Sequence, residues 1–308
     1  MILFLAAAAV LFWDQGPETA SALKDAGITE ARVPAAKLIA WQSVSGIKVE
    51  AGDIEGATKL LAPTVNYRTN QATASREPWL DSNGWRFIRQ SNGRFYYEVN
   101  GPVAAIAAAE ASMYGGNALI KTDAAGLKPL AEMMKFLGAN GGKDVAPVAD
   151  FAFIDAGSLA AGEVINLLPR GNLRFKLATA PDPKLKLNVR LGTKEYPAED
   201  AKNPKVLAQM VRTNLTDEKR SLRVYGSPVV LGRVMTTKSG VRVHLLNYAG
   251  NARKVDGLRV RVLGRYPKHT IVSADPKGDG IVDYDVDSTA TEFSLRELAT
   301  YTIIDLSR

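Results

Sequence analysis

The sequence predicts an α/β protein with an all-β end: a partial TIM-barrel-like α/β domain, a flavodoxin-like α/β domain and a C-terminal antiparallel β-sandwich. Three observations predict it. Strand-like and helix-like segments alternate through the first two thirds, the rhythm of parallel sheets joined by crossover helices. From Leu222 onward, short strand-like runs follow one another at spacings of about 8–12 residues, separated by turn signals. The third is length. Of 308 residues, about 130 are left for a barrel that needs ~250, or ~200 at the least, so any barrel is abbreviated.

Each element has a local cause. Met1–Trp13 (MILFLAAAAVLFW) is apolar but shorter than the ~20 residues of a membrane span. It suits the core of a signal peptide over residues 1–10, with Ala7 and Ala9 as an A-x-A-like cleavage signal, although no Lys or Arg precedes it. Ala9–Trp13 equally suits a first buried strand, and both can hold. Pro17–Ala26 has helical spacing and stops at Gly27. Ile28–Pro34, Ile47–Val49, Thr64–Tyr67 and Phe95–Val99 read as strands. Pro102–Tyr114 is an Ala-rich helix with Pro102 in its first turn and Gly115-Gly116 at its end. Asn117–Lys121 is a strand, and Leu127–Leu137 a helix ended by Gly138.

Gly138–Val148 (GANGGKDVAPV) reads as a linker. Beyond it, Phe151–Asp155, Leu173–Ala178 and Leu185–Leu191 read as strands. Leu159–Leu168 is a helix with Ser158 as its N-cap, and Asn203-Pro204 opens another that runs to about Asn214. Strands follow near 228–236, 241–248, 257–264, 269–274, 281–286, 290–295 and 299–306. The predicted domains are therefore 11–143, 144–220 and 221–308.

Composition narrows the chemistry. The chain is 46% hydrophobic and 23% charged, as globular proteins are. It has no Cys and two His, so disulfides, thiol nucleophiles, Cys-ligated metals and a three-His zinc site are excluded. No cofactor is predicted: neither G-x-G-x-x-G nor G-x-x-x-x-G-K-[ST] occurs. The net charge of +7 is concentrated in residues 220–308, with 14 basic and 9 acidic residues. There the basic side chains alternate with apolar ones, as in Leu258-Arg259-Val260-Arg261-Val262, and read as the wet face of a strand. Nucleic acid and a membrane span are not predicted as partners; a homo-oligomer is compatible with the sequence. His244 and His269 read as satisfied strand or surface residues, and Asp275–Asp287 as a solvated hairpin.

Carboxylates remain for acid–base work. Strand ends finish in polar residues at Asp14, Glu98 and Asp155, and the carboxyl ends of parallel strands line ligand crevices. Glu110, on the Ala-rich helix, needs a partner if buried. Glu77–Arg89 (EPWLDSNGWRFIR) packs two Trp, an Asp, an Asn and two Arg into 13 residues. Trp79 and Trp85 can stack on sugar rings while Asp81, Asn83 and Arg86 bind hydroxyls. The same stretch also reads as a long loop pinned by its two Trp, with Asp81-Ser82-Asn83-Gly84 as its turn. The candidate catalytic set is Asp14, Asp81, Glu98 and Glu110; the candidate substrate-binding set is Trp79, Asn83, Trp85 and Arg86.

The three-part order resembles the trimeric, A4-type β-galactosidase group of glycoside hydrolases. Phe153-Ile154-Asp155, Gly162–Leu168 and Asn172-Leu173 look like the amidotransferase-like domain of that group, which lacks the Cys nucleophile, as this chain does. Gly101–Lys121 looks like a barrel end, and Leu295–Leu306 like the closing strands of a sandwich. The group's Asn-Glu acid/base dipeptide is absent: Tyr97 precedes Glu98. The signal-peptide-like N-terminus implies a secreted or periplasmic protein, and the resemblance implies a glycoside-hydrolase-like one that processes carbohydrate with a carboxylate pair. A non-catalytic carbohydrate-binding or assembly protein is the alternative.

Overall fold

The computed structural model describes residues 9–67, 78–185, 187–275 and 280–308. Residues 1–8 of the expected leader, Glu77 and the 276–279 turn lie outside them. The first part contains strands β1 (Val10–Leu11), β2 (Glu30–Val33), β3 (Lys48–Ala51), β4 (Thr58–Lys59), β5 (Thr64–Asn66), β6 (Trp79–Asp81), β7 (Phe95–Glu98) and β8 (Ala118–Lys121). Its helices are α1 (Ala20–Asp25), α2 (Leu38–Gln42), α3 (Gly84–Arg89), α4 (Val103–Tyr114) and α5 (Ala124–Asn140).

The parallel ladders run β4-β7-β8-β1 and β2-β3, and a parallel bridge between Phe12 and Arg32 joins the two. No ladder connects β3 to β4 among the described residues, so there is no closed barrel. The cause lies between Gly52 and Arg94. Instead of further strand–helix units, the described residues of that stretch supply the two-residue β4, the antiparallel β5–β6 pair and the six-residue α3.

Helix ends follow the predicted chemistry. Gly27 (φ +82°) and Gly115 (φ +68°) take the left-handed conformation that ends α1 and α4. Asp123 caps α5 by accepting from the Gly126 N–H at 3.0 Å. α4 is buried on all sides, as an Ala-rich helix between two layers must be. It packs on α5 and β8 on one side and, across the molecule, on β15 (Gly240–Asn247).

The second part has β9 (Ala146–Pro147), β10 (Phe151–Ile154), α6 (Leu159–Arg170), β11 (Phe175–Ala178), β12 (Leu187–Arg190) and α7 (Pro204–Leu215). The sheet β11-β10-β12 is parallel, and α6 and α7 pack on its core of Phe151, Phe153, Val164, Leu168 and Leu207. Ser158 caps α6 by accepting from the Ala161 N–H at 3.1 Å. The expected linker 138–148 is corrected at both ends. α5 continues through Gly138 to Asn140, and Ala146–Pro147 pairs with Thr236–Met235 as an edge strand. An edge tolerates Pro147 because its missing N–H faces no ladder partner.

The last part holds β13 (Leu222–Tyr225), β14 (Val230–Thr236), β15, β16 (Val255–Leu263), β17 (Lys268–Ser273), β18 (Ile281–Val286), β19 (Ala290–Leu298) and β20 (Tyr301–Ser307). They form two antiparallel sheets, β13-β16-β19-β18 and β17-β20-β15-β14-β9. Val243, Leu245, Val260, Phe293 and Ile304 from both sheets enter one apolar cluster. The Arg259 and Arg261 face is less wet than expected: Arg261 is buried, and both guanidinium groups meet Glu292, at 3.0 and 3.4 Å. His244 is buried between the Tyr301 hydroxyl (2.7 Å) and Asp144 (3.2 Å).

Gly84 opens α3 where a side chain has no room. A Cβ there would lie 2.3–2.6 Å from the Tyr114 ring. Gly84→Ala is expected to lower stability by about 1–3 kcal/mol, read from the urea midpoint. An unchanged midpoint would show that Tyr114 can yield.

Candidate active site at the carboxyl ends of the parallel strands

The strand order β1-β8-β7-β4 carries its end residues with it. Asp14 follows β1, Lys121 ends β8, Glu98 ends β7 and Lys59 ends β4. Negative and positive groups therefore alternate along this edge. Lys121 Nζ lies 2.7 Å from Asp14 Oδ2 and 3.5 Å from Glu98 Oε1. Lys59 donates to Glu98 Oε2 from the other side. Because one ammonium touches both acids, their oxygens are no farther apart than those two distances laid end to end. That ceiling lets the two carboxyl groups act on one ligand.

The charges set the proton affinities. Lys59, then Lys121, hold the Glu98 carboxyl below its ordinary value. Asp14, followed by Glu98, raises Lys121. The side chains of Asp14 and Glu98 are 42% and 43% exposed, so solvent reaches both. An acid kept ionised in this way can accept hydrogen bonds from hydroxyls or stabilise positive charge. It is poorly matched to donating a proton at neutral pH.

Glu110 lies elsewhere. Tyr97 and Glu98 are neighbours on β7 and point to opposite faces, and Tyr97 faces Glu110. The Glu110 carboxylate has no solvent exposure. It accepts from the Asn83 N–H (2.6 Å), Asn83 Nδ2 (3.0 Å), the Tyr97 hydroxyl (2.6 Å) and the Tyr248 hydroxyl (2.6 Å). Burial raises its proton affinity, and the hydrogen bonds from Asn83, Tyr248 and Tyr97 oppose the rise. The Asn83 amide also clamps the Leu61 backbone, accepting from its N–H at 3.1 Å and donating to its carbonyl at 2.9 Å.

The aromatic stretch is not one long loop; it folds into β6 and α3. Asp81 accepts from Asn66 Nδ2 (2.6 Å) and Trp79 Nε1 (3.2 Å). The Arg170 guanidinium stacks 3.9 Å from the centre of the Trp79 ring, and burial pulls its affinity for protons down to about 10. Trp85 packs against the core under α6, with the Arg86 guanidinium 4.5 Å from its ring centre. Arg89 grips Asp155 with two hydrogen bonds (2.8 and 3.1 Å) and ties α3 to the end of β10.

The structure thus brings Asp14 and Glu98 together. It joins Asn83 to Glu110, sets Asp81 with Trp79, and places Trp85 and Arg86 on the α3–α6 contact. Sequence reasoning missed Lys59 and Lys121. Lys121 was visible as a strand-end residue, but its partners required the strand order.

No protein-family model and no curated protein matches the sequence. Among solved structures, α-L-fucosidase isoenzyme 2 from Paenibacillus thiaminolyticus superposes with a TM-score of 0.53 at 8% identity, over 87% of this chain and 69% of that one. The chain shares the overall fold of that fucosidase. The likeness is to a fucosidase, so it does not reach the narrower A4-type β-galactosidase group. An α-amylase from H. orenii aligns over 73% of this chain and 56% of that one, at 11% identity and a TM-score of 0.19, which carries no argument. Among the described residues no helix is long and apolar enough to cross a membrane.

Removing the buried carboxylate should be costly. Glu110→Ala strands four donors, and breaking a buried charged network costs about 3–5 kcal/mol. Denaturant unfolding should show a loss of that order. A change below about 1 kcal/mol would mean that solvent readily replaces the carboxylate.

Proposed function

We propose that the protein is a carbohydrate-binding relative of glycoside hydrolases, with its ligand held at the carboxyl edge of the parallel sheet. Asp14, Lys59, Glu98 and Lys121 would supply the polar contacts. The observation that carries this reading is the pair of strand-end carboxylates meeting at Lys121 (2.7 and 3.5 Å). Exposed acids and ammonium groups fixed against one another present acceptors and donors to sugar hydroxyls without reorganising. The glycoside-hydrolase-like fold supports the same ligand class.

A second reading, hydrolysis with Asp14 and Glu98 as the carboxylate pair, is favoured by their meeting at Lys121. Against it stands the depressed proton affinity of Glu98, which leaves the edge short of a general acid. In the same proposal, residues 11–143 form an abbreviated barrel-like domain, 144–220 a flavodoxin-like domain and 221–308 a β-sandwich. The protein would be exported by its apolar leader.

The test is a glycan array followed by calorimetry on the best neutral binder, with reducing-sugar release measured in parallel. Binding without release is expected, and Asp14→Asn with Glu98→Gln should weaken it about tenfold or more, the loss of one or two charge-assisted hydrogen bonds. Binding that the double variant leaves unchanged, or no binding to any glycan, overturns the assignment. Release of sugar that Glu98→Gln abolishes would replace it with hydrolysis.

The pH dependence follows from the sign of the Glu98 shift. A carboxyl held below its ordinary value of 4.5 stays ionised at and above that pH. Affinity should therefore be level from pH 8 to 5 and fall only as the pH drops below 4.5. A titration centred at pH 6 or above would rule out Glu98 as the group responsible.

A further inference from the structure

A second concave feature lies away from the strand-end acids. β5 and the loop that follows β15 enclose a cleft of about 680 Å³ lined by Thr64, Asn66, Tyr67, Asn251 and Arg253, with Val65 and small side chains between them. That volume falls within the ~300–1,000 Å³ of small-molecule sites, and the cleft joins two separate parts of the chain, where such sites concentrate.

We propose that this cleft binds a saccharide bearing a carboxylate, such as a uronic acid unit. Its walls are firmly built. The wholly buried Asn247 donates to the Arg253 carbonyl (2.8 Å) and the Ala299 carbonyl (2.8 Å), and its Oδ1 accepts from the Ala249 N–H (3.0 Å). The Arg253 N–H adds a bond to the Ala249 carbonyl at 2.7 Å. The loop that carries Arg253 is therefore fixed at both ends. On the opposite wall, Asp81 holds the Asn66 amide at 2.6 Å, which leaves its carbonyl oxygen for a ligand.

The chemistry of the lining then selects the ligand. Arg253 is exposed, and its guanidinium has no hydrogen-bond or ion-pair partner among the described residues. Among the described residues no acidic side chain lines the cleft, and Asp81, bonded to the lining Asn66, is already engaged by that amide and by the Trp79 indole. A planar guanidinium pairs with a carboxylate through two parallel hydrogen bonds. Tyr67 is 50% exposed and offers a ring face, while Thr64, Asn66 and Asn251 offer groups that suit hydroxyls. A neutral sugar could use the amides and the ring but would leave the cation unused. The sugar-ring part of this inference rests on the carbohydrate reading above; the site itself is independent of Asp14 and Glu98.

The experiment is calorimetry on the full chain with trigalacturonate and with its fully methyl-esterified form, which keeps the rings and removes the charge. The acid is expected to bind at least tenfold more tightly than the ester. Arg253→Met should erase that difference while leaving ester binding and thermal stability unchanged. Tyr67→Ala should weaken both ligands. Asp14→Asn with Glu98→Gln should leave trigalacturonate binding as it was. Equal binding of acid and ester, an Arg253→Met variant that behaves as the parent, or no trigalacturonate binding overturns the proposal. If those results come with neutral-glycan binding that depends on Asp14 and Glu98, only the acidic site is lost. If no glycan binds anywhere, the carbohydrate reading falls with it.

Discussion

Burying an ionisable carboxyl costs several kcal/mol unless its lone pairs find donors, and Glu110 satisfies this demand by drawing on three distant stretches. Tyr97 comes from the parallel sheet, Asn83 from the turn that opens α3, and Tyr248 from the end of β15. Each donor must stay in place for the others to keep their partner. The six Ala residues around Glu110 on α4 let the two layers approach closely enough for both tyrosines to reach it. The same contacts bring the Leu61 backbone to Asn83 and so fix the chain between β4 and the β5–β6 pair. Both candidate ligand sites flank this anchor: Lys59 lies just before Leu61, and the cleft residues Thr64–Tyr67 just after it.

The middle part is tied in by a different device. Asn172 stands in the left-handed region (φ +52°) and accepts from the Gly232 N–H at 2.8 Å while donating to the Val230 carbonyl at 3.1 Å. Arg174 reaches the Gly232 carbonyl, and Arg220 the Asn172 carbonyl at 3.0 Å. With Arg89 gripping Asp155 on the other side, the small parallel sheet is held from two directions. A buried guanidinium is tolerated here because backbone carbonyls replace its water shell, though burial still pulls the proton affinity of Arg174 down to about 10.

Much of this was legible from residue order. The Gly27 and Gly115 stops, the Ser158 cap and the Ala-rich α4 are local matters, decided within one helical turn by backbone sterics and capping hydrogen bonds. Between β3 and β7 only the Thr64–Tyr67 strand was legible, found as β5 over Thr64–Asn66. Trp79, Asp81 and Trp85 read as a turn-centred loop because Asp-Ser-Asn-Gly is strong turn chemistry. Gly84 instead starts a helix, packed under the Tyr114 ring where no side chain would fit. Likewise Ala146–Pro147 looked like linker until β14 supplied an edge for it to join.

The sequence by itself determined the types of the longer helices and strands, the absence of thiol and multi-histidine chemistry, and the short list of carboxylates. These depend on periodicity, capping and composition, which need no knowledge of distant neighbours. Only the tertiary structure decided that the sheet stays open and that Asp14 and Glu98 share Lys121, while Glu110, on the same short list, serves as a buried anchor. Those outcomes turn on strand order and on which face of a strand or helix meets another layer. Asp14, Glu98 and Lys121 are far apart along the chain, and only the pairing β1-β8-β7 makes them neighbours.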